Sequence, residues 1–285
     1  MSDELSARVR ADYQRARFKA FLNQVWSALS GHPNTLLSYD QVREKLHIGG
    51  PIYRGVQTVR VDQIAGSLNR YQQFDRAFLP RTEETAGRWQ SVNRAFYEDI
   101  SLPPVVLYKV GDVYFVVDGH HRVSVAREQG QEFIEAEVRE CASKVRITPN
   151  VRPEDLEILG EKVEFLERTG LDRLRPEVNI KLTIPDGFSR MLEHIAVHRY
   201  FMGLDLQRDI PEEEAVTHWY DTVYLPIVQI IRESNILDDF PGKTEGDLYL
   251  WVLDHQHYLS RAEGQPLQPP EEAAREFIEK TETKK

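Results

Sequence analysis

The strongest structural signal in the chain is the stretch VVDGHHRVSVAREQG at residues 116–130. An apolar run ends there at an Asp-Gly pair, and a short helical pattern follows and stops at Gly130. A helix that begins directly after such a turn points its first unpaired N–H groups at whatever lies above the turn. These donors and the positive end of the helix dipole attract a negatively charged group. The pattern therefore predicts a strand–turn–helix unit that binds an anion.

The side chains at this turn have chemistry suited to a phosphate group. Gly119 lets the backbone approach a ligand closely, and Arg122 offers a fork of donors that matches phosphate oxygens. His120 and His121 donate hydrogen bonds and can change charge near neutral pH. Asp118 would repel bare phosphate, so we predict that it orients a histidine, positions Mg²⁺ or accepts a substrate proton. The structural alternative is an ordinary turn in which Arg122 pairs with a neighbouring carboxylate.

The segments around this turn indicate a compact α+β unit. VQTVRV, from Val56, alternates like a half-buried strand, and EFIEAEVRE is typical of another strand. PPVVLYKV and VYFVV predict a hairpin closed by a Gly-Asp turn at residues 111–112. A helix is expected from Thr82 to Tyr97, and IGGPIYRG at residues 48–55 is expected to interrupt regular structure.

Helical patterns flank this unit on both sides. Apolar residues recur at a spacing near 3.6 from Leu5 to Leu29, which predicts an amphipathic helix. The basic residues of this helix are expected on a solvated face, with nucleic-acid contact as the alternative; they are Arg8, Arg10, Arg15, Arg17 and Lys19. A short helix capped by Ser38 is predicted at residues 38–46. Further helices are predicted at residues 153–169, 187–201, 211–234, 244–261 and 270–280. We expect an N-terminal helical segment at 1–55, an α+β domain at 56–150 and a helical C-terminal domain at 151–285.

Composition limits the class of protein. The 285 residues are 41% hydrophobic and 29% charged, which is typical of a globular chain able to bury a core. No run of about 18 apolar residues and no signal-peptide pattern occurs, so we expect a cytoplasmic protein without membrane contact. The single Cys141 excludes an internal disulfide and a thiolate metal cage, and we expect it to be buried and inert.

Charge is divided unevenly between the two halves. Residues 1–150 contain 20 Lys and Arg against 18 Asp and Glu, whereas residues 151–285 contain 16 against 28. The net charges are therefore +2 and −12. An acidic surface repels phosphate backbones and anionic membranes, because long-range steering follows the summed charge. An anionic ligand is therefore expected in the first half.

In sequence order, residues 56–156 resemble the ParB/sulfiredoxin superfamily, in its ParB-like nuclease branch. VQTVRVDQI is similar to the family's opening strand, and SLPPVVLYKVGDVYFVVDGHHRVSVAREQG is similar to its central part. The resemblance implies a bacterial-type protein with an α+β fold that contains a small mixed sheet. It also implies that the Pro103–Val106 strand entry, with Pro104, recognises a nucleotide, and that Gly119, His120, His121 and Arg122 hold its phosphates.

The resemblance further implies a nucleoside triphosphate of undetermined base. The chemistry of the turn adds Mg²⁺ as a candidate cofactor, with Asp118 as its candidate ligand. NVRPEDL at residues 150–156 is similar to a family segment that contacts phosphate and metal, which makes Asn150 a candidate. Pro149 and Pro153 replace the glutamate and arginine of that segment, so hydrolysis of CTP in the ParB manner is not implied. His120 stands where sulfiredoxin has its catalytic cysteine, which excludes sulfiredoxin chemistry.

Another branch of the same fold suggests catalysis. Free-serine kinases carry Asp-Gly-His-Thr-Arg, which shares Asp118, Gly119, His120 and Arg122 with this chain. The resemblance makes phosphotransfer to a small molecule an alternative, with Asp118 and His120 as catalytic candidates. Phosphoryl transfer needs little beyond positioning, a metal and a base.

GSLNRYQQFDRAFLP, at residues 66–80, supplies two more candidate ligands. It resembles a segment of uncharacterised bacterial proteins that join a ParB-like domain to a further C-terminal domain. Arg70 and Arg76 lie six residues apart in this irregular segment, where loops often carry function, and they are expected to close over the phosphates. The alternative is that they pair with Asp75 or Glu83.

The helical half carries weaker signals. His194 and His198 are four residues apart on one helix face, a spacing that can bind zinc. No HExxH pattern or further ligand is evident, so hydrogen-bonded core histidines are the favoured interpretation.

The leading hypothesis is therefore a nucleotide-binding, regulatory protein with an acidic helical half that binds a protein partner. The sequence leaves open whether the protein is an enzyme. The alternatives are a small-molecule kinase or NTPase and a DNA-associated regulator or nuclease. No basic recognition helix follows the nucleotide domain, which disfavours the DNA-binding alternative. A homodimer is the default oligomeric expectation.

Overall fold

The chain divides into two compact units. A computed structural model describes residues 2–31, 33–263 and 269–282. Contacts separate Met1–Leu156 from Glu157–Lys285. Among the described residues, no helix is both long and apolar enough to cross a membrane.

Six strands of the first unit form one mixed sheet. The strands are β1 (Leu37–Ser38), β2 (Pro51–Arg60), β3 (Ile64–Ser67), β4 (Val105–Val110), β5 (Val113–Asp118) and β6 (Phe133–Cys141). Their order across the sheet is β1-β3-β5-β4-β6-β2. The pairs β1–β3, β3–β5 and β4–β6 are parallel, and β4–β5 and β2–β6 are antiparallel. The predicted α+β class with a mixed sheet is confirmed.

The predicted hairpin forms the centre of this sheet. Val110 pairs with Val113 across the turn, and Gly111 adopts the left-handed φ of +57° that such a turn requires. Residues Val113 to Val116 are all buried, because this strand has neighbours on both edges and covered faces. The hairpin therefore fixes the position at which β5 ends.

The expected interruption at residues 48–55 is wrong in its second half. β2 begins at Pro51 and continues through Gly55, which has a φ of +87°. The register with β6 shifts between Tyr53 and Val56, which identifies a bulge. β2 is an edge strand, and an edge tolerates both a leading proline and a bulged glycine. Together with β1, the start of β2 adds strand to the 1–55 region that the sequence predicts as helical.

Four helices cover the sheet. They are α1 (Ser2–Ser30), α2 (Tyr39–Lys45), α3 (Ala86–Tyr97) and α4 (His120–Glu128). The Ser38 side chain accepts a hydrogen bond from the Gln41 N–H and caps α2, as predicted. α1 packs on α3, and α3 packs on α4, around the fully buried Trp89. Cys141 is buried, as expected.

The second unit is helical throughout its described elements. These are α5 (Asp155–Thr169), α6 (Leu171–Leu174), α7 (Gly187–Leu206), α8 (Glu212–Trp219), α9 (Leu225–Ser234), α10 (Glu245–Glu263) and α11 (Pro270–Glu282). The single helix predicted at 211–234 is instead α8 and α9 joined by a π-helical turn at Tyr220–Tyr224. Pro226 explains the irregularity, because it cannot donate the N–H that continues an α-helix through this point.

Candidate functional site

β5 and α4 meet at a single glycine. β5 ends at Asp118, α4 begins at His120, and Gly119 between them has a φ of +96°. A Cβ atom at Gly119 would lie 2.6 Å from Val105 Cγ1 and 2.9 Å from Arg122 Nε. Only glycine fits both the left-handed backbone and the confined space. The predicted strand–turn–helix is therefore present, with the first turn of α4 directly above β5.

Arg122 is held across this turn by fixed acceptors. Its Nη1 donates to the Pro104 carbonyl at 3.0 Å and to the Pro103 carbonyl, and its Nη2 donates to Asp118 Oδ2 at 2.7 Å. The Arg122 side chain is 15% exposed, whereas that of Asp118 is 73% exposed. The carboxylate pairing that the sequence left as the structural alternative is thus present. Arg122 therefore links the segment that leads into β4 to the turn. Pro104 contributes only its carbonyl oxygen, as a hydrogen-bond acceptor.

His120 lies beneath the turn. Its ring is 4% exposed, is hydrogen-bonded through Nε2 to Ser67 Oγ at 2.8 Å, and stacks on Phe74. Burial, reinforced by the positive charge of Arg70, lowers the pKa of His120 to about 4. The imidazole is therefore neutral at pH 7. The His120 side chain therefore packs beneath the turn, and the His120 backbone N–H belongs to the first turn of α4.

His121 differs from its neighbour in one respect. Its ring is 9% exposed and meets Phe74 edge-on, but its buried Nδ1 has no hydrogen-bond partner among the described residues. Burial, followed by the charges of Arg70 and Arg88, lowers the pKa of His121 to about 4. A buried polar atom without a partner costs about 1–3 kcal/mol. A buried nitrogen of this kind needs an explanation, because nearly all buried polar atoms in native proteins are hydrogen-bonded.

Two arginines surround these histidines. The Arg70 N–H donates to Ser67 Oγ at 3.0 Å, and Arg70 Nη1 donates to Gln73 Oε1 at 3.3 Å. Arg88 lies in the first turn of α3 and is exposed. The charges of both act on His121. The hydrogen bond to Ser67, which also binds His120, places Arg70 near these histidines. Sequence reasoning missed Ser67 and Arg88, which lie on other elements and carry no local motif.

Arg76 and Asn150 lie in a different environment. Arg76 Nη2 donates to the carbonyl groups of Pro149 at 3.0 Å and Val151 at 2.9 Å. The Arg76 carbonyl accepts from Arg127, which lies in the last turn of α4, at the opposite end from Gly119. Burial lowers the pKa of Arg76, and Asn150 is exposed. Arg76 therefore anchors the 149–151 segment, and these two residues do not join the cluster around Gly119.

A cavity of about 300 Å³ adjoins Arg122. Its walls come from the end of α3, the segment leading into β4, α4 and the start of β6. The apolar lining includes Phe96, Ile100, Leu102, Pro103, Pro104, Val105, Phe133 and Ile134. A cavity of this size and polarity suits a small planar group, with Arg122 at its polar edge.

The carboxylates at the turn are few. Within the described residues, no group of three or more His, Cys, Asp or Glu side chains is placed to hold a metal ion. Asp118 is a single exposed carboxylate with one oxygen bound to Arg122. One carboxylate fits Mg²⁺ that is held mainly by substrate phosphates and water. Asp118 would then be the protein's ligand to the ion.

Comparison with known proteins gives matches at the level of structure alone. No protein-family model and no curated protein sequence matches the chain. One similar structure is the C-terminally truncated chromosome-partitioning protein ParB from Caulobacter crescentus, complexed with CTP-gamma-S. It is 13% identical, the match covers 79% of this chain and 99% of that chain, and the TM-score is 0.24. A Pnob8-like ParB-N domain is 11% identical over 81% of this chain and 98% of that chain, also with a TM-score of 0.24. No residue role follows from similarities this low.

Proposed function

We propose that the first unit binds a nucleotide whose phosphates lie at the turn between β5 and α4. The observation that carries this proposal is the partnerless, buried Nδ1 of His121 at the first turn of a helix. The glycine before that helix has no room for a Cβ atom. A ligand oxygen over this turn would pair with the free N–H groups of the helix, and a small movement of the His121 ring would let the buried imidazole nitrogen pair with it as well.

The charges around the turn favour a phosphate group. Arg70 and Arg88 supply two positive charges, and the lowered pKa values keep both histidines neutral at pH 7. A neutral imidazole donates or accepts one hydrogen bond without adding a full buried charge. The recognition would therefore combine helix N–H groups, two guanidinium groups and one imidazole.

The cavity beside Arg122 is where the base would lie. Its apolar walls suit a planar ring, and the Pro103 and Pro104 carbonyls at its edge are already held by Arg122. The sequence resemblance to ParB-like domains makes CTP the first ligand to test. Mg²⁺ would be coordinated by Asp118 and would neutralise phosphate charge.

A second candidate function is phosphotransfer to a small acceptor. The observation that favours it is the Asp118 carboxylate, which is 73% exposed at the edge of the turn. A carboxylate at this position could accept the proton of an acceptor hydroxyl group as that oxygen attacks the terminal phosphorus. This function would use the same binding site and would add turnover to it.

Isothermal titration of the full chain with CTP, ATP, ADP and GTP, each with and without Mg²⁺, tests the binding proposal. Arg70→Ala and Arg88→Ala should each weaken binding at least about tenfold, because each removes a charge-assisted contact. Arg146→Ala is the matched control, since Arg146 is an exposed arginine of the same unit that pairs with Asp112. Absence of nucleotide binding, or equal affinity in all three variants, would refute the proposal.

Product analysis separates the two candidates. If the protein only binds, incubation with the preferred nucleotide releases no diphosphate and no phosphorylated acceptor. If it is an enzyme, Asp118→Asn should lose turnover, and its nucleotide affinity measured without Mg²⁺ should stay within a few-fold. Salt-sensitive binding of duplex DNA without any nucleotide affinity would favour the DNA-associated alternative.

A further inference from the structure

Helix α1 is apolar on two opposite sides. Its first half packs inward, with Val9, Tyr13, Ala16 and Ala20 at most 5% exposed. Tyr13 contacts Trp89, and its hydroxyl group donates to the Thr82 carbonyl at 3.0 Å. These contacts fix which side of α1 faces the unit.

The second half carries apolar residues on the other side. Six of them are between 42% and 78% exposed, and we name them the outer strip: Phe18, Phe21, Leu22, Val25, Trp26 and Leu29. Phe18 lies five positions after Tyr13, a step that turns the helix by about 140° beyond a full turn. The apolar pattern therefore crosses to the opposite side at this point. In the sequence, these residues look like one apolar pattern with a spacing near 3.6. In the structure, they form two separate faces of α1.

We infer that the outer strip is the interface between two copies of this chain, with the two α1 helices packed antiparallel. The inference is independent of the nucleotide proposal. Four strip residues follow the alternating spacing of four and three that lets paired helices interlock: Phe18, Leu22, Val25 and Leu29. Phe21 and Trp26 lie on either side of this seam.

The area of the strip suits a dimer. Buried aromatic side chains contribute about 150–250 Å² each, so Phe18, Phe21 and Trp26, which are 58–72% exposed, offer about 400 Å² per copy. The three smaller aliphatic residues of the strip add roughly 200 Å², which gives about 600 Å² per copy. Two copies would bury about 1,200 Å², the lower limit for specific interfaces. A contiguous apolar patch of about 600 Å² is also at the upper end of what monomers expose.

The charge pattern favours a second copy over a charged partner. Residues 20–30 contain no charged side chain, so two strips can meet without repulsion and offer nothing to an acidic or basic surface. The basic residues Arg15, Arg17 and Lys19 all precede this segment. Parallel pairing would place these charges beside their own copies. Antiparallel pairing places them beside the uncharged end of the partner helix and aligns opposite helix dipoles.

Sedimentation equilibrium of the full chain across the micromolar range tests the inference. The wild-type chain should dimerise, and Leu22→Glu/Val25→Glu should weaken the dimer at least about a hundredfold, because two central apolar contacts become charged. Both side chains are exposed, so the far-UV spectrum should not change. Gln24→Glu/Ser30→Glu is the matched control, since both residues are exposed and lie more than about 100° around α1 from the centre of the strip, so that it adds the same charge outside the strip and should leave the dimer intact.

Orientation has its own test. In an antiparallel pair, Phe18 of one copy lies beside Leu29 of the other. Phe18→Cys chains mixed with Leu29→Cys chains should therefore form a mixed disulfide on oxidation, while each variant alone should not. Cys141 is buried and does not compete. A disulfide dimer of either variant alone would overturn the antiparallel arrangement.

Two further outcomes would overturn the inference as a whole. A wild-type chain that stays monomeric throughout the range would show that the strip is not a self-association surface. A monomeric chain that co-sediments with phosphatidylcholine vesicles, and loses this property in Leu22→Glu/Val25→Glu, would identify the strip as a lipid-binding face instead.

Discussion

His194 and His198 of the second unit differ from His121 of the first unit in how their ring nitrogens are hydrogen-bonded. In the second unit, His194 Nδ1 is hydrogen-bonded to Tyr249 Oη at 3.2 Å, and His198 Nε2 to His218 Nδ1 at 2.8 Å. In the first unit, His121 Nδ1 is buried and has no partner in the described part of the chain.

The difference follows from where the histidines lie. Side chains on packed helices meet partners from neighbouring helices, and His194 and His198 are hydrogen-bonded within the second unit in this way. At the β5–α4 turn, the described residues leave one imidazole nitrogen of His121 without a hydrogen bond, and the ligand that we propose would use it. The contrast agrees with a structural role for His194 and His198 and with the binding role that we propose for His121.

The largest expected effect is a loss of stability in acid. Burial lowers the pKa values of His120, His121 and His194 to about 4, whereas unfolded histidines titrate near about 6.5. As the pH falls from about 6.5 to 4, the unfolded chain takes up protons that the folded chain does not, so stability decreases. Each histidine should contribute up to about 3 kcal/mol. Urea unfolding between these pH values measures the decrease.

One variant assigns part of this decrease to the turn. His121→Asn should flatten the pH dependence of the unfolding free energy, because a group that titrates only in the unfolded state is removed. An unchanged slope would show that His121 is not held neutral in the fold, and the contrast with the second unit would fail.

Gly119→Ala should produce the next largest effect. The substitution imposes a left-handed backbone on alanine and places a Cβ atom 2.6 Å from Val105 Cγ1. Strain and overpacking together should destabilise the first unit by about 2–4 kcal/mol in urea unfolding. Gly130→Ala is the matched control, since Gly130 also has a positive φ but its Cβ atom would meet nothing within 4 Å. An equal decrease in the free energy of unfolding in both variants would mean that the space around Gly119 is not confined.

Tyr249→Phe tests whether the hydrogen bonds of Tyr249 stabilise the second unit. The hydroxyl group accepts a hydrogen bond from Trp219 Nε1 at 3.0 Å and pairs with His194. Its removal leaves buried polar atoms unsatisfied and should cost about 1–3 kcal/mol in the free energy of unfolding. Tyr258→Phe, at a residue 68% exposed, should change stability by less than about 0.5 kcal/mol. A neutral Tyr249→Phe variant would contradict the structural role of this network.

The smallest effect concerns charge at the turn. Arg70 contributes to the lowered pKa values of His120 and His121, so Arg70→Ala should raise both by a fraction of a pH unit. NMR titration of the imidazole signals measures the change. His194 is the internal reference, because its pKa is lowered by burial and by Arg190 instead. If the first-unit signals move no more than that of His194, Arg70 does not lie close enough to act on a bound phosphate.

Local patterns predicted most of the elements. The hairpin, the turn at Gly119, α3, α4 and the helical second half all follow from alternation, helical spacing, glycine and proline, which act within a few residues. The errors occurred where tertiary context overrides local preference. Pro51 and Gly55 are accommodated because β2 lies at a sheet edge. The helix predicted at 211–234 is present and contains a π-turn, which follows locally from Pro226.

The candidate site was predicted only in part. Gly119 and Arg122 carry a local pattern, and the i,i+4 pairing of Arg122 with Asp118 follows from helix geometry. Arg88 and Ser67 join the turn through the packing of α3 and β3, which no local spacing encodes. Arg76 was placed with Arg70 by proximity in sequence, but the loop between them separates the two.

The sequence by itself determined the order of strands and helices, the glycine turn before α4 and the uneven charge of the two halves, because these depend on backbone preferences and composition. Only the tertiary structure decided that both histidines are buried and neutral, that one nitrogen has no partner, and that half of α1 presents an apolar face outward. Burial and neighbouring charge depend on residues far apart in the chain, and only packing brings those residues together.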